Sequence, residues 1–133
     1  SGIGFGSADY CASTGGDMGK ASLAYGRGKI INAAALYNTL ALDGVWLDFR
    51  DPDGCREETL YVKTMGFKGR FAIHPDQIKP IHDAYRPTTE ELEWAKGVLE
   101  EAKTAGSGAF KYQGKMVDAP VLAVARLIIS RED

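Results

Sequence analysis

Apolar residues fall in short blocks, and polar and glycine-rich stretches separate them. Gly2–Gly6 (GIGFG) is an apolar run closed by glycine, followed by Ser7-Ala8-Asp9-Tyr10. That pattern predicts a buried strand ending in a loop. Gly15–Lys20 predicts a further loop. From about Lys29 to Leu42, Ile30, Ala33, Ala34, Tyr37 and Leu40 or Ala41 share one face at helical spacing. Asp43-Gly44 stops that helix, and Val45–Phe49 (VWLDF) predicts a second strand. Asp51-Pro52 opens the next helix, with Asp as cap and Pro at the first helical position, and Gly66 ends it. Phe71–Ile73 predicts a third short strand. Asp76–Tyr85 predicts a short helix interrupted or ended near Pro80.

Beyond this point the character of the chain changes. Thr88-x-x-Glu91 is a capping box. It opens a helix to about Thr104, with Leu92, Ala95, Val98, Leu99 and Ala102 on one stripe. Ala109–Val117 predicts a hairpin turning near Gln113-Gly114. A last helix runs from about Ala119 to Arg131. The order is β-α-β-α-β-α, then helix, hairpin, helix. Alternating strands and helices imply a parallel sheet, and short apolar strands suit one buried on both faces. Three such strands alone leave both sheet edges open, so they fit a larger sheet or barrel.

Composition narrows the class. The chain has 133 residues, 44% hydrophobic and 26% charged, so it can build a core and is not disordered. Sixteen Lys and Arg against 18 Asp and Glu give a net charge of -2, which argues against a general nucleic-acid binder. No apolar run approaches the ~18 residues that span a bilayer. No signal-peptide pattern opens the chain, and Ser1 leads straight into an apolar segment, as if the chain were entered midway. Two cysteines, Cys11 and Cys55, read as free thiols of a reducing cytosol.

Glycine is in excess. Of the 16 glycines, eight fall at Gly2, Gly4, Gly6, Gly15, Gly16, Gly19, Gly26 and Gly28. The early G-x-G-x-G is not the dinucleotide fingerprint. Gly19-Lys20 is not a phosphate loop, because Thr14 and Ala21 stand where Gly and Ser or Thr are required. His74, His82, Cys11 and Cys55 make no zinc spacing.

In a parallel α/β fold, chemistry gathers where strands end. Asp9 follows strand one, Asp48, Arg50 and Asp51 follow strand two, and His74 follows strand three. Asp9 reads either as a cap or as a Mg²⁺ ligand. Asp51 reads as a cap. Asp48 faces the mouth or pairs with Arg50. His74 before Pro75 reads as a backbone-fixing residue or a general base. Asp118 reads either as the N-cap of the last helix or as a lid carboxylate over a site.

Four separated motifs then come in order: Phe5–Tyr10 (FGSADY), Asp43–Asp51 (DGVWLDFRD), Gly66–Ile78 (GFKGRFAIHPDQI) and Gly114–Pro120 (GKMVDAP). Together they resemble the citrate lyase β-subunit-like group of the HpcH/HpaI aldolase superfamily, whose relatives include malyl-CoA, citramalyl-CoA and citryl-CoA lyases. The resemblance implies an α/β fold: strands six to eight of a TIM (β/α)8 barrel over residues 1–86, and a C-terminal helix-and-hairpin lid over 87–133. It implies Mg²⁺ held by Asp9 and by a Glu of strand five that this sequence lacks. It implies that Asp118 is a catalytic lid carboxylate reaching a neighbouring subunit, and that Ile73, His74 and Pro75 line the coenzyme A side of the rim.

The chemistry so implied is aldol-type carbon–carbon cleavage or condensation of a 3-hydroxyacyl-CoA, with an acyl-CoA and a keto acid as partners. A cytoplasmic homo-oligomer, trimer or hexamer, with neither nucleic acid nor membrane as partner, completes the expectation. Two other readings stand beside it. The chain is an inactive fragment or structural subunit lacking the half that carries the metal Glu, or it belongs to an aldolase of free hydroxy-keto acids.

Overall fold

The computed structural model describes residues 1–106 and 108–132. The chain divides into two compact units, Ser1–Tyr85 and Arg86–Asp133. In the first, a parallel sheet of three strands runs in the order β1 (Gly2–Gly4), β2 (Leu40–Asp43), β3 (Gly69–Arg70). The register pairs Ile3 with Ala41 and Leu42 with Gly69. Helices α1 (Ser7–Thr14) and α2 (Lys20–Leu36) connect β1 to β2, and α3 (Pro52–Met65) connects β2 to β3. A 3-10 turn (Pro75–Gln77) and α4 (Ile78–Tyr85) follow.

Several boundaries differ from the sequence expectation. Ser7–Tyr10, expected as a loop, belongs to helix α1. Gly6 caps α1, Asp9 stands in its first turn where the helix dipole favours an acid, and Gly15 closes it at φ 73°. This helix is too short to show a periodic stripe. Helix α2 begins at Lys20, not Lys29. Gly26 lies inside it because Phe5 packs there, and an added Cβ would stand 2.8 Å from the ring.

The largest correction concerns the second strand. Helix α2 ends at Leu36, and Asn38 turns the chain at φ 48°. Leu40–Leu42, expected in the helix, and Asp43, expected as its stop, form the strand. Val45–Phe49, expected as the strand, is the loop above it. The third strand is Gly69–Arg70 rather than Phe71–Ile73, although the Phe71 N–H still donates to the Asp43 carbonyl at 3.1 Å. Pro80 lies in the first turn of α4, where its missing N–H breaks no helical bond.

Other expectations match the structure closely. Asp51 accepts the Gly54 N–H at 2.9 Å at the start of α3, and Gly66 ends it at φ 119°. The core of this unit joins Phe5, Leu23, Ala34, Ala41, Val62 and Phe67.

The second unit is α5 (Thr89–Ala105), a hairpin of β4 (Phe110–Tyr112) and β5 (Lys115–Val117), and α6 (Ala119–Ile129). Thr88 and Glu91 exchange both bonds of the capping box. Gln113 and Gly114 both take positive φ, the signature of a two-residue type I′ turn. The last helix stops at Ile129 rather than Arg131. Ala95, Val98, Val117 and Ala125 form the core of this unit. No described helix is long and apolar enough to cross a membrane.

Candidate active site

The carboxyl ends of β1 and β2 open onto a cavity of about 380 Å³. Its lining includes Gly4, Phe5, Ser7, Asp9, Gly44 and Phe71. Two glycines make this geometry possible by close approach. A Cβ on Gly4 would stand 2.6 Å from the Phe71 ring, and one on Gly44 would overlap Ser7 Oγ. Tyr10 N–H to Gly6 C=O is the first intrahelical bond of α1, so the N–H groups of Ala8 and Asp9 lie at its open start. Ser7 is buried, and its Oγ has no partner among the described residues. Asp9 is exposed in the same first turn. The cavity thus combines one carboxylate and a helix start suited to an anion.

Behind this cavity lies a charge cluster that sequence reasoning missed. Asp43, fully buried at the end of β2, receives Arg27 Nε and Nη2, each at 3.1 Å. It also receives Arg70 Nη2 at 2.8 Å. Glu58 joins Arg27 Nη2 at 2.8 Å. Arg70 Nε donates to the Gly44 carbonyl at 3.1 Å, so the cluster holds the backbone that walls the cavity. One signal pointed to it: Arg27 is the single charge between Leu23 and Gly28, and a buried arginine needs a partner. The partner itself was hidden, because Asp43 read as a helix stop.

The expected rim residues follow Phe71 but do not line the cavity. Ile73 is exposed, and its N–H donates to Gln77 Oε1 at 2.9 Å. The buried Gln77 also donates Nε2 to the Trp46 carbonyl at 2.7 Å, tying the rim to the β2–α3 loop. His74 Nδ1 accepts the Asp76 N–H at 3.2 Å, which leaves Nε2 as its outward nitrogen. Its ring stacks on Phe49 at 4.6 Å. Pro75 starts the 3-10 turn and is exposed. Asp48 is exposed on the loop, where Oδ1 accepts the Arg50 N–H at 3.0 Å.

Asp118 belongs to the second unit. It caps α6, with Oδ1 accepting the Val121 N–H at 3.3 Å, and it is exposed. Cys11 and Cys55 are both free and buried. Burial pushes the Cys55 thiol up, against a smaller opposing pull from Arg70, so it stays protonated and is no nucleophile. Among the described residues no group of three or more His, Cys, Asp or Glu side chains gathers to hold a metal.

Comparison with known proteins adds the lineage. Residues 28–132 match the family model of carbon–carbon bond lyases of the TIM-barrel fold. The chain is 37% identical over 131 residues to the mitochondrial citramalyl-CoA lyase of Rattus norvegicus, covering 95% of this chain and 39% of that protein. It is 42% identical over 105 residues to a citrate lyase subunit beta-like protein of Mycobacterium tuberculosis, covering 79% and 38%. The crystal structure of CitE from M. tuberculosis, in complex with magnesium, acetoacetate and coenzyme A, superposes with a TM-score of 0.81 at 36% identity. That match covers 98% of this chain and 51% of the other. The chain therefore spans about two-fifths of these curated relatives. Three parallel strands with intervening helices, ending at one cavity, are an arc of that architecture, and the chain belongs to the carbon–carbon bond lyase family of the TIM-barrel fold.

Proposed function

We propose that this chain supplies the strand-six-to-eight arc and the lid of a Mg²⁺-dependent carbon–carbon lyase acting on 3-hydroxyacyl-CoA esters. The observation that carries the reading is Asp9, an exposed carboxylate beside the open start of α1 in the cavity at the strand ends. Relatives described as citramalyl-CoA lyases, and a neighbour in complex with magnesium, acetoacetate and coenzyme A, support the ligand classes. Asp9 is a hard oxygen donor with access to solvent, and Mg²⁺ takes one or two carboxylates beside water and substrate oxygens. It fits one share of such a site. The second carboxylate is not among the residues gathered here. Mg²⁺ bound at Asp9 supplies Lewis-acid polarisation of a keto-acid carbonyl.

The other roles belong to the chain itself. The N–H groups of Ala8 and Asp9 orient the keto-acid carboxylate. Phe71, packed against Gly4, gives the cavity an apolar wall. Asp118 moves the proton at the α-carbon of the acyl thioester. Its Oδ1 is held by the α6 cap, which leaves Oδ2 to take the proton. Ile73, His74 and Pro75 form the coenzyme A side of the rim. A homo-oligomer in which the lid serves a neighbouring subunit completes the reading. The setting is cytosolic, supported by two free thiols.

The test is turnover of malyl-, citramalyl- and citryl-CoA by this chain combined with the remaining barrel strands. Asp9→Asn is expected to lower Mg²⁺-dependent turnover by at least about 10²-fold with the fold intact. Asp118→Asn is expected to lower kcat by about 10²–10⁴-fold while acyl-CoA still binds. Undiminished turnover in either variant overturns that residue's role. A second reading, an inactive structural piece, is favoured by the single carboxylate at the cavity. It predicts no turnover of any of the three esters by the combined protein.

A further inference from the structure

The 3-10 turn that follows β3 carries a buried amide. Gln77 is 1% exposed, and both ends of its side chain are engaged. Oε1 accepts the Ile73 N–H at 2.9 Å, and Nε2 donates to the Trp46 carbonyl at 2.7 Å. One partner is a donor and the other an acceptor, so the group between them has to offer both. An ionised carboxylate offers acceptors only, and an ammonium donors only. The amide of glutamine meets both demands in one plane.

The two loops so joined are held differently. Residues 44–51 are anchored on α3. The Trp46 ring lies against Gly54, where an added Cβ would stand 2.8 Å from it, and Asp51 caps the helix. Residues 72–76 carry Ile73, His74 and Pro75, and all but the half-buried His74 are exposed. The bonds within this segment are local: His74 Nδ1 accepts the Asp76 N–H, and the His74 carbonyl accepts the Gln77 N–H. Gln77 ties the exposed segment to the anchored one. Beside that tie, His74 stacks on Phe49 with ring centroids 4.6 Å apart.

We propose that Gln77 is a positioning residue of the lyase. It touches no substrate. Its two hydrogen bonds fix the Ile73–Pro75 rim against the β2–α3 loop in the geometry that receives coenzyme A. The inference rests on the coenzyme A reading of that rim. A buried amide that matches one donor and one acceptor also makes a sharp test, because glutamate is its isostere. Protonated, a glutamate at this position keeps an acceptor for Ile73 and gains an O–H donor for Trp46, whereas ionised it has lost that donor.

The experiment titrates coenzyme A by calorimetry into this chain combined with the remaining barrel strands, unaltered or carrying Gln77→Leu or Gln77→Glu. Gln77→Leu leaves the Ile73 N–H and the Trp46 carbonyl unmatched, and is expected to raise Kd about tenfold at every pH. Gln77→Glu is expected to match the unaltered protein at about pH 6 and to bind about tenfold more weakly at about pH 9.5, above the range known for buried glutamates. Asp48, Arg50, Asp51, His74 and Asp76, the ionisable groups of the two loops, are the same in all three proteins. The ratio to the unaltered protein at each pH therefore isolates position 77. A merely structural role lowers the number of binding sites through unfolding and leaves Kd unmoved. Where Gln77→Leu does not fold, Gln77→Glu at the lower pH still carries the test. An unchanged Kd in Gln77→Leu overturns the proposal, as does a loss of sites at unchanged Kd. So does a Gln77→Glu ratio that is the same at both pH values. If the unaltered protein binds no coenzyme A, the reading of the rim falls, and the proposal with it.

Discussion

At the scale of single residues, Asp43 has the greatest weight. It is fully buried, and two guanidinium groups meet it. A buried ion pair adds little net stability over a well-packed apolar pair, but removing one partner strands the rest. Asp43→Asn leaves Arg27 and Arg70 facing a neutral side chain, and we expect a loss of about 3–5 kcal/mol in urea unfolding. Asp17 behaves in the opposite way. It is exposed, and its carboxylate accepts the Ser22 hydroxyl at 2.7 Å and the Gly19 N–H at 2.9 Å. Those two bonds lower its pKa below 3.8. Its contribution is therefore complete above 3.8 and is lost as pH falls through the lower folded value. Asp17→Asn should lower the thermal midpoint near neutrality, and the gap from the unaltered chain should close as pH drops below 3.8.

At the scale of elements, start and stop chemistry was legible, and short strands were not. Asp51-Pro52 with Gly66, Thr88 with Glu91, and Gln113-Gly114 each name a backbone position whose local bonding decides the outcome. Strand β2 failed for a physical reason. Leu40–Asp43 continues the apolar pattern of α2, whereas Val45 and Trp46 look like strand residues because they line a cavity. Periodicity cannot separate a strand of four residues from a helical turn or an apolar loop. Asp9 was legible as a residue at a strand end, but its place in a helix was not. Arg27 and Asp43 meet across 16 positions, and Arg70 and Asp43 across 27, distances that no local pattern encodes. The capping box offers a local test. Thr88→Ala removes the acceptor of the Glu91 N–H, held at 3.1 Å, and should cost about 1 kcal/mol in chemical denaturation.

At the scale of the molecule, the chain is an arc of a barrel and a second compact unit. β1 and β3 each pair on one side only among the described residues, and open parallel edges are surfaces that barrels close. Leu40, Phe71 and Ile73 remain exposed in the strands or just beyond them. The motif order foretold this arc, while periodicity alone foretold only a parallel sheet. The central position of β2 also has a kinetic meaning. Asp43 finds Arg27 only after α2 has folded back on β2, and Arg70 only after the β2-to-β3 crossover has closed. Such long-range contacts form late on the folding path. An interaction absent from the transition state governs how fast the native state opens rather than how fast it forms. In stopped-flow measurements on Asp43→Asn, most of the lost stability should appear as faster unfolding, with the refolding limb nearly unmoved. The buried cluster then acts as a latch that sets the lifetime of the folded arc.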